Sequence, residues 1–258
     1  MAIIPRERML QDTRQSEIYN LLQLHRSCAI SDLAQRFDVS DETIRRDIRQ
    51  LEAEGQAYRV RGGVTLKENA VEAPYLVRRN QNAEKKQAIA LKASELVEDG
   101  MTVLIDSGST AYWLCKALSK QRNLTVITNA LDVAREMAGK NGAKVFFGGG
   151  AIDSDYQSSF GRETEAFMSS FTPEIAFFSI GAVDSRRGLL DFHYPEASMK
   201  AGLAALASRV VALADSSKFE RQGIVKALDF KQIDIFVTDA LPPRQILDAL
   251  DEVEVQIG

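Results

Sequence analysis

Ser40-Asp41-Glu42-Thr43-Ile44-Arg45-Arg46-Asp47-Ile48-Arg49-Gln50-Leu51 is the stretch on which the reading of this 258-residue chain turns. Ile44, Ile48 and Leu51 fall at i, i+4 and i+7 and make one apolar stripe, which a helix must bury. Glu42, Arg45, Arg46 and Arg49 then point outward together. Ser40 or Asp41 can cap this helix by accepting bonds from its first amides. Upstream, Ile18, Leu21, Leu22 and Ala29-Ile30 keep helical spacing up to a break, and Leu33, Ala34 and Phe37 repeat it in a shorter segment. Two short helices are therefore expected before the turn at Asp38-Val39-Ser40. Arginines on the exposed face of the last helix suit the major groove, because guanidinium forks bond phosphates and guanine edges bidentately. A solvated face with Glu42 paired to Arg46 is the plainer reading of the same residues.

The sequel favours the groove. Gly55 ends the helix, and residues 56–60 lead into Arg61-Gly62-Gly63-Val64-Thr65-Leu66. This reads as a β-hairpin with Arg59 and Arg61 on one face and a positive-φ turn at Gly62-Gly63. A basic wing of that kind touches phosphates or the minor groove. Charge alone argues the other way, since the chain carries a formal −4 and duplex binders usually show a basic footprint. Residues 1–67 hold 11 basic and 10 acidic side chains, so the distribution of charge, not its sum, has to carry the reading.

Residues 39–48, followed by Leu51-Glu52-Ala53-Glu54-Gly55, resemble the DeoR-type helix-turn-helix of bacterial sugar-metabolism regulators, and Thr43-Ile44-Arg45-Arg46-Asp47 is the specific part. The resemblance implies that Thr43, Arg45, Arg46 and Arg49 contact DNA, with Ser40 beside them and Arg59 and Arg61 in the wing. That family usually has histidine where this chain has Arg61, a change that keeps the basic character.

Residues 68–83 include Pro74 and no sustained periodicity, so they read as a linker about which a DNA-binding domain (1–67) and a larger domain (84–258) pivot. Within the larger domain, helix-like stretches at 84–97, after Thr110 and at 131–138 alternate with strand-like ones at 101–105, 124–128, 144–147, 175–180, 210–214 and 235–238. This is the pattern of an α/β domain with a largely parallel sheet.

Ligands of open parallel sheets bind outside the carboxyl ends of the strands. Asp106-Ser107-Gly108-Ser109-Thr110 leaves one strand and enters a helix, where amides, hydroxyls and the helix dipole can converge on a phosphate. The loop has no Walker lysine, which speaks against triphosphate hydrolysis. Later strand ends supply Asn129, Gly148-Gly149-Gly150, Gly181 with Asp184, and Asp215-Ser216-Ser217-Lys218, while Glu196 and Lys200 share a helix face and His193 lies just ahead of them. A phosphate suits Lys218 and the serine-threonine loop, and polyol or sugar hydroxyls suit Asp106, Asn129, Asp184 and Glu196. Taken singly, each has a plainer reading: Glu196 and Lys200 make an ordinary i, i+4 pair.

Residues 84–256 resemble the sensor domain of the same family, whose fold is akin to ribose-5-phosphate isomerase. The segments 189–196 and 238–243 look particularly like the glycerol-3-phosphate repressors within that family. The resemblance implies a repressor of carbohydrate or polyol catabolism genes, released from operator DNA by a phosphorylated effector. Glycerol 3-phosphate leads, and an aldose phosphate such as arabinose phosphate is the alternative. A sugar-phosphate isomerase is the competitor from another class. Ile180 stands where the isomerase motif supplies a carboxylate, and residues 189–195 lack its lysine, so acid-base isomerisation is not expected.

Cys28 and Cys115 lie in different halves without partner spacing, and His25 and His193 are too few for a metal site or a triad. No cofactor or metal is expected. With no signal-like N-terminus and no apolar run of membrane length, a cytoplasmic protein is expected. Trp113 and Tyr112 read as core or subunit-interface residues. A single winged helix reads few base pairs, so a homodimer or homotetramer is expected.

Overall fold

Polypeptide periodicity becomes two separate units in the computed structural model, which describes residues 6–25, 27–53, 57–60, 63–66 and 75–258. The first unit is Met1–Asn69 and the second Ala70–Gly258.

The first unit runs α1 (Arg6–His25), β1 (Ser27–Ala29), α2 (Ile30–Phe37), α3 (Asp41–Ala53), β2 (Ala57–Val60) and β3 (Gly63–Leu66). The stripe of Ile44, Ile48 and Leu51 packs on Ile18 and Leu22 of α1 and on Ile30 and Leu33 of α2. Ala29 and Ile30 do not continue the first helix, as their spacing suggested. Ala29 pairs with Gly63 in a β1–β3 ladder, and Ile30 opens α2. The strand order β1-β3-β2 makes a three-stranded sheet. A Cβ on Gly63 would lie 2.6 Å from the Cys28 carbonyl oxygen, so this glycine permits close strand approach. Arg61 and Gly62, expected at the turn, and Gly55, expected to end α3, lie outside the described residues. Asp38 closes α2 in the left-handed region at φ 51°. The Ser40 hydroxyl then accepts from the Thr43 amide at 3.2 Å. Ser40→Ala is expected to destabilise this unit by about 1 kcal/mol, read as a lower urea midpoint with unchanged slope.

The second unit opens with α4 (Tyr75–Asn80) and α5 (Ala83–Ser94), which occupy part of the expected linker. It continues through β4 (Thr102–Ile105), α6 (Ser109–Ala117), β5 (Thr125–Thr128), α7 (Leu131–Met137), β6 (Lys144–Phe147), β7 (Ile152–Asp153), β8 (Ser158–Ser159) and α8 (Arg162–Met168). Then follow β9 (Ile175–Ser179), β10 (Ala182–Asp184), β11 (Gly188–Asp191), α9 (Tyr194–Ala204), β12 (Val210–Leu213), β13 (Val225–Leu228), β14 (Ile235–Thr238), α10 (Arg244–Ala249) and β15 (Glu254–Ile257). Seven strands form one sheet in the order β15-β14-β12-β9-β4-β5-β6, every neighbouring pair parallel.

Alternation along these strands feeds two cores. Val103, Ile105, Phe177, Val211 and Val237 face α5, α6 and α7 through Ile89, Leu114 and Val133. Leu104, Ala176, Phe178, Ala212 and Phe236 face the other way, toward Met199 and Leu203 of α9 and Ile246 of α10. A small antiparallel sheet, β10-β11-β13, joins the second core through Val183, Leu189 and Leu228. The five central strands, covered on both faces, run near-continuously apolar, as buried parallel strands do, whereas β6 and β15 at the edges stay partly exposed.

Candidate functional site

In the first unit, α3 carries the expected DNA face. Arg45, Arg46 and Arg49 are exposed, and the Ser40 and Thr43 hydroxyls lie 2.9 Å apart at its N-terminus. Three of the four acids of the helix are engaged. Glu42 accepts from Arg49 at 2.8 Å, and not from Arg46. Glu52 reaches over to β2 and accepts from the Arg59 side chain at 2.7 Å and from its amide at 2.7 Å. Asp47 is fully buried, accepting from Arg14 Nε at 2.6 Å and Gln15 Nε2 at 3.3 Å. It fastens α3 to α1, a structural role that its neighbourhood of exposed charges concealed in the sequence. Arg45 and Arg46 have no ion pair among the described residues. Arg61, the remaining expected contact, lies outside them.

The second unit gathers its polar residues at the carboxyl ends of the strands. Asp106 follows β4, Asn129 follows β5, Gly148-Gly149-Gly150 follows β6, Gly181 follows β9, Asp215 follows β12 and Asp239 follows β14. At the centre lies Lys200, fully buried, whose ammonium donates to the Ser179 carbonyl and to Asp191 Oδ2, both at 2.6 Å, and to Glu196 Oε1 at 3.0 Å. Asp106 Oδ2 lies 3.4 Å from it. Asp106 also accepts from the Ser179 amide at 3.0 and 3.1 Å, and the Ser107 hydroxyl donates to Glu196 Oε1 at 3.1 Å. One lysine thus ties β4, β9, β11 and α9 together. Burial disfavours its ammonium, but Asp191, Glu196 and Asp106 outweigh burial and hold its pKa well above that of an ordinary lysine. Burial pushes the Asp106 carboxyl well above the usual carboxylate range, against the pull of Lys200.

Gly108 makes this closeness possible. It has φ 139°, and a Cβ there would stand 2.4 Å from Ser179 Cβ. It is also the N-cap of α6, whose first turn has no side-chain cap. Ser109 is therefore not a capping residue, although a simple strand-to-helix turn capped by Ser109 would be the plainest reading of this sequence, and it sits with Thr110 buried inside the helix start. Such an end favours an anion.

A second polar cluster follows β12. The Asp215 side chain accepts from the Ser217 amide at 3.0 Å and from Asn82 Nδ2 at 3.2 Å. Lys85 donates to the Ser216 hydroxyl at 2.6 Å and lies 3.2 Å from Asp239. Burial works against the charged form of Asp215, yet Lys218, the Ser217 hydroxyl and Lys86 hold its pKa below the usual value. Lys218 therefore brings positive charge to this strand end.

Six buried side-chain atoms lack a hydrogen-bond partner among the described residues: Asn129 Oδ1, His193 Nδ1, Glu196 Oε2, Asp215 Oδ2, Thr238 Oγ1 and Gln121 Oε1. All but the last lie at the carboxyl edge of the sheet. Buried polar atoms are normally satisfied, so their concentration on one edge marks a place where a polar ligand or water completes them.

Not every expected residue joins this group. Asp184 turns away at the β10–β11 hairpin, accepting from the Arg186 and Arg187 amides at 3.0 and 2.8 Å. Gly149 is exposed with open space beside it, and Gly181 packs tightly, its Cβ position 2.6 Å from Asp191 Oδ1. Asp191, Ser179, Asn82 and Lys85 were not expected. Asp191 ends an apolar strand, the one cue that could have exposed it. Trp113 is partly buried against the core and donates to the Arg79 carbonyl at 3.0 Å. Among the described residues no His, Cys, Asp and Glu group could hold a metal ion, and no helix is long and apolar enough to cross a membrane.

Comparison with known proteins bears on both units. Residues 14–70 match the DeoR-like helix-turn-helix domain and residues 81–240 the DeoR C terminal sensor domain. The chain is 30% identical over 249 residues to the glycerol-3-phosphate regulon repressor of Escherichia coli (strain K12), covering 96% of this chain and 99% of that one. It is 31% identical over 241 residues to the transcriptional repressor AccR of Agrobacterium fabrum, covering 93% of each. Among solved structures, ribose 5 phosphate isomerase A from Neisseria gonorrhoeae aligns with 52% of each chain at 16% identity and a TM-score of 0.38.

Proposed function

Because the chain belongs to the DeoR family of transcriptional regulators, which are DNA-binding proteins and not enzymes, we propose that it represses genes of carbohydrate or polyol catabolism and leaves its operator when a phosphorylated effector binds the second unit. It acts in the cytoplasm as a homodimer or homotetramer, so that two α3 helices read two half-sites. Ser40, Thr43, Arg45, Arg46, Arg49, Arg59 and Arg61 are its DNA-binding residues. The observation that carries the sensing role is the row of unpartnered buried atoms along the carboxyl edge of the sheet.

The leading effector is glycerol 3-phosphate, supported by the name of the E. coli relative. Its phosphate lies at Ser107, Gly108, Ser109 and Thr110 with Lys218, and its hydroxyls meet Asn129, His193 and Glu196. Asp106 and Lys200 hold Glu196 in place. Gly149, Gly181 and Asp184, also read from the sequence as effector contacts, stand apart from this cluster and are assigned no effector contact. An aldose phosphate such as arabinose phosphate is the second reading, favoured by the number of unpartnered acceptors, which exceeds the two hydroxyls of glycerol 3-phosphate.

Lys218→Ala tests the sensing role. Operator affinity is expected to stay within about twofold of wild type while the metabolite-induced release is lost, measured by gel-shift titration against both phosphates. Loss of operator binding itself would count against a purely sensory Lys218.

A further inference from the structure

The β7–β8 hairpin carries Tyr156 in its turn, held between two elements. On one side its ring stacks on His193, the N-cap of α9, with centroids 4.4 Å apart and planes at 18°. On the other, the Arg78 guanidinium of α4 lies 5.3 Å from the Tyr156 centroid, and Arg78 is buried. Phe160 closes against both rings at 5.9 and 4.9 Å. The same hairpin holds the start of α4 through the backbone, the Tyr75 amide donating to the Asp155 carbonyl at 3.1 Å.

The two ends of this stack differ in what they serve. His193 opens the helix that bears Glu196 and Lys200, has a buried Nδ1 without a partner, and places Nε2 3.7 Å from Asp153. This Nδ1 and the neighbouring Glu196 Oε2 are both buried without a partner among the described residues. At the other end, α4 is the first described element after the DNA-binding unit, which ends at Asn69. Its other contacts run to helices, Tyr75 Oη and Arg79 donating to Asp132 of α7 at 3.0 and 2.9 Å, and Trp113 of α6 donating to the Arg79 carbonyl at 3.0 Å. The hairpin side leads back to the sensing edge through His193.

We propose that the Arg78–Tyr156–His193 stack is the mechanical link by which occupancy of the sensing edge alters α4 and the segment leading to the DNA-binding unit, which rests on the effector reading above. In this proposal a ligand that engages His193 Nδ1 or Glu196 turns the imidazole and the stacked Tyr156 ring follows, giving the two positions that coupling between sites requires.

Full-length wild type, Tyr156→Ala and Tyr156→Phe are compared on a duplex selected from a random pool by the wild-type protein. Hydrogen exchange at the amides of residues 75–80 is expected to accelerate about tenfold in Tyr156→Ala, with the β4 and β9 amides unchanged. Glycerol 3-phosphate or arabinose 5-phosphate still raises its melting temperature, but the fall in operator affinity that the phosphate causes shrinks to within about twofold of none. Tyr156→Phe, which keeps the ring, behaves as wild type. Operator release at the wild-type level in Tyr156→Ala overturns the link. If neither phosphate raises the wild-type melting temperature, the effector reading fails separately. The link then stands or falls on residues 75–80 and on the metabolite-free operator affinity of Tyr156→Ala, and wild-type values of both refute it.

Discussion

Lys200→Met is expected to destabilise the second unit by about 3–5 kcal/mol near neutral pH, because it strips the counter-ion from three buried carboxylates while leaving them buried. Wild type already holds Asp106 well above the usual carboxylate range, burial raising it and Lys200 lowering it. Without the ammonium the folded-state pKa rises further. A carboxyl whose folded pKa lies above its unfolded value contributes stability that is full below the unfolded pKa and fades as pH rises through the folded one. The deficit of the variant is therefore expected to narrow in acid and to widen in base, measured as urea midpoints at pH 5.5 and pH 8. A variant within about 1 kcal/mol of wild type at pH 8 would show that the cluster is neutralised in some other way.

Arg46→Ala should weaken operator binding by about 1–3 kcal/mol for each half-site if the guanidinium reaches a base edge. In a symmetric pair of half-sites the loss occurs twice, about 2–6 kcal/mol in all. The size of the effect follows from the environment of α3: Glu42 is engaged by Arg49, Glu52 by Arg59 and Asp47 by Arg14, so removing Arg46 releases no partner that could compensate. A base contact relaxes sequence preference at one position, whereas a phosphate contact weakens all duplexes alike and lowers the salt slope by about one unit. Competition titrations with single-base operator variants separate these outcomes, and unchanged affinity at near-physiological salt would remove Arg46 from the DNA face.

What could be read from the sequence depended on local period. The strands at 144–147 and 235–238 were placed to the residue, and the stripe of Ile44, Ile48 and Leu51 located the core of the first unit, because apolar spacing is a property of neighbouring residues. The small sheet β10-β11-β13, the β7–β8 hairpin and the edge strand β15 were missed. They are short, and their pairing is long-range: Leu190 meets Lys226, a partnership no local window contains. The same limit applies to the site. Glu196 and Lys200 were legible as an i, i+4 pair, but the meeting of Lys200 with Asp106, Asp191 and the Ser179 carbonyl is made by tertiary folding. Asp184 misled because a carboxylate after a strand was read by position, whereas its backbone bonds to Arg186 and Arg187 turn it into a hairpin anchor. The cap at Ser40 was found because capping is decided within four residues.

The carboxylates that engage Arg49 and Arg59 carry a consequence for how this protein searches a chromosome. An indiscriminate polyanion offers these arginines nothing that Glu42 and Glu52 do not already supply, so flexible anionic polymers should adhere weakly despite the cluster of guanidinium groups. If Arg49 and Arg59 contact DNA as proposed, a duplex must draw them away from Glu42 and Glu52, a cost of about 0–1 kcal/mol for each exposed pair, which contacts from Arg45 and Arg46 would offset. Glu42→Gln with Glu52→Gln is accordingly expected to raise binding to non-specific duplex more than binding to the operator, as read by gel-shift titration.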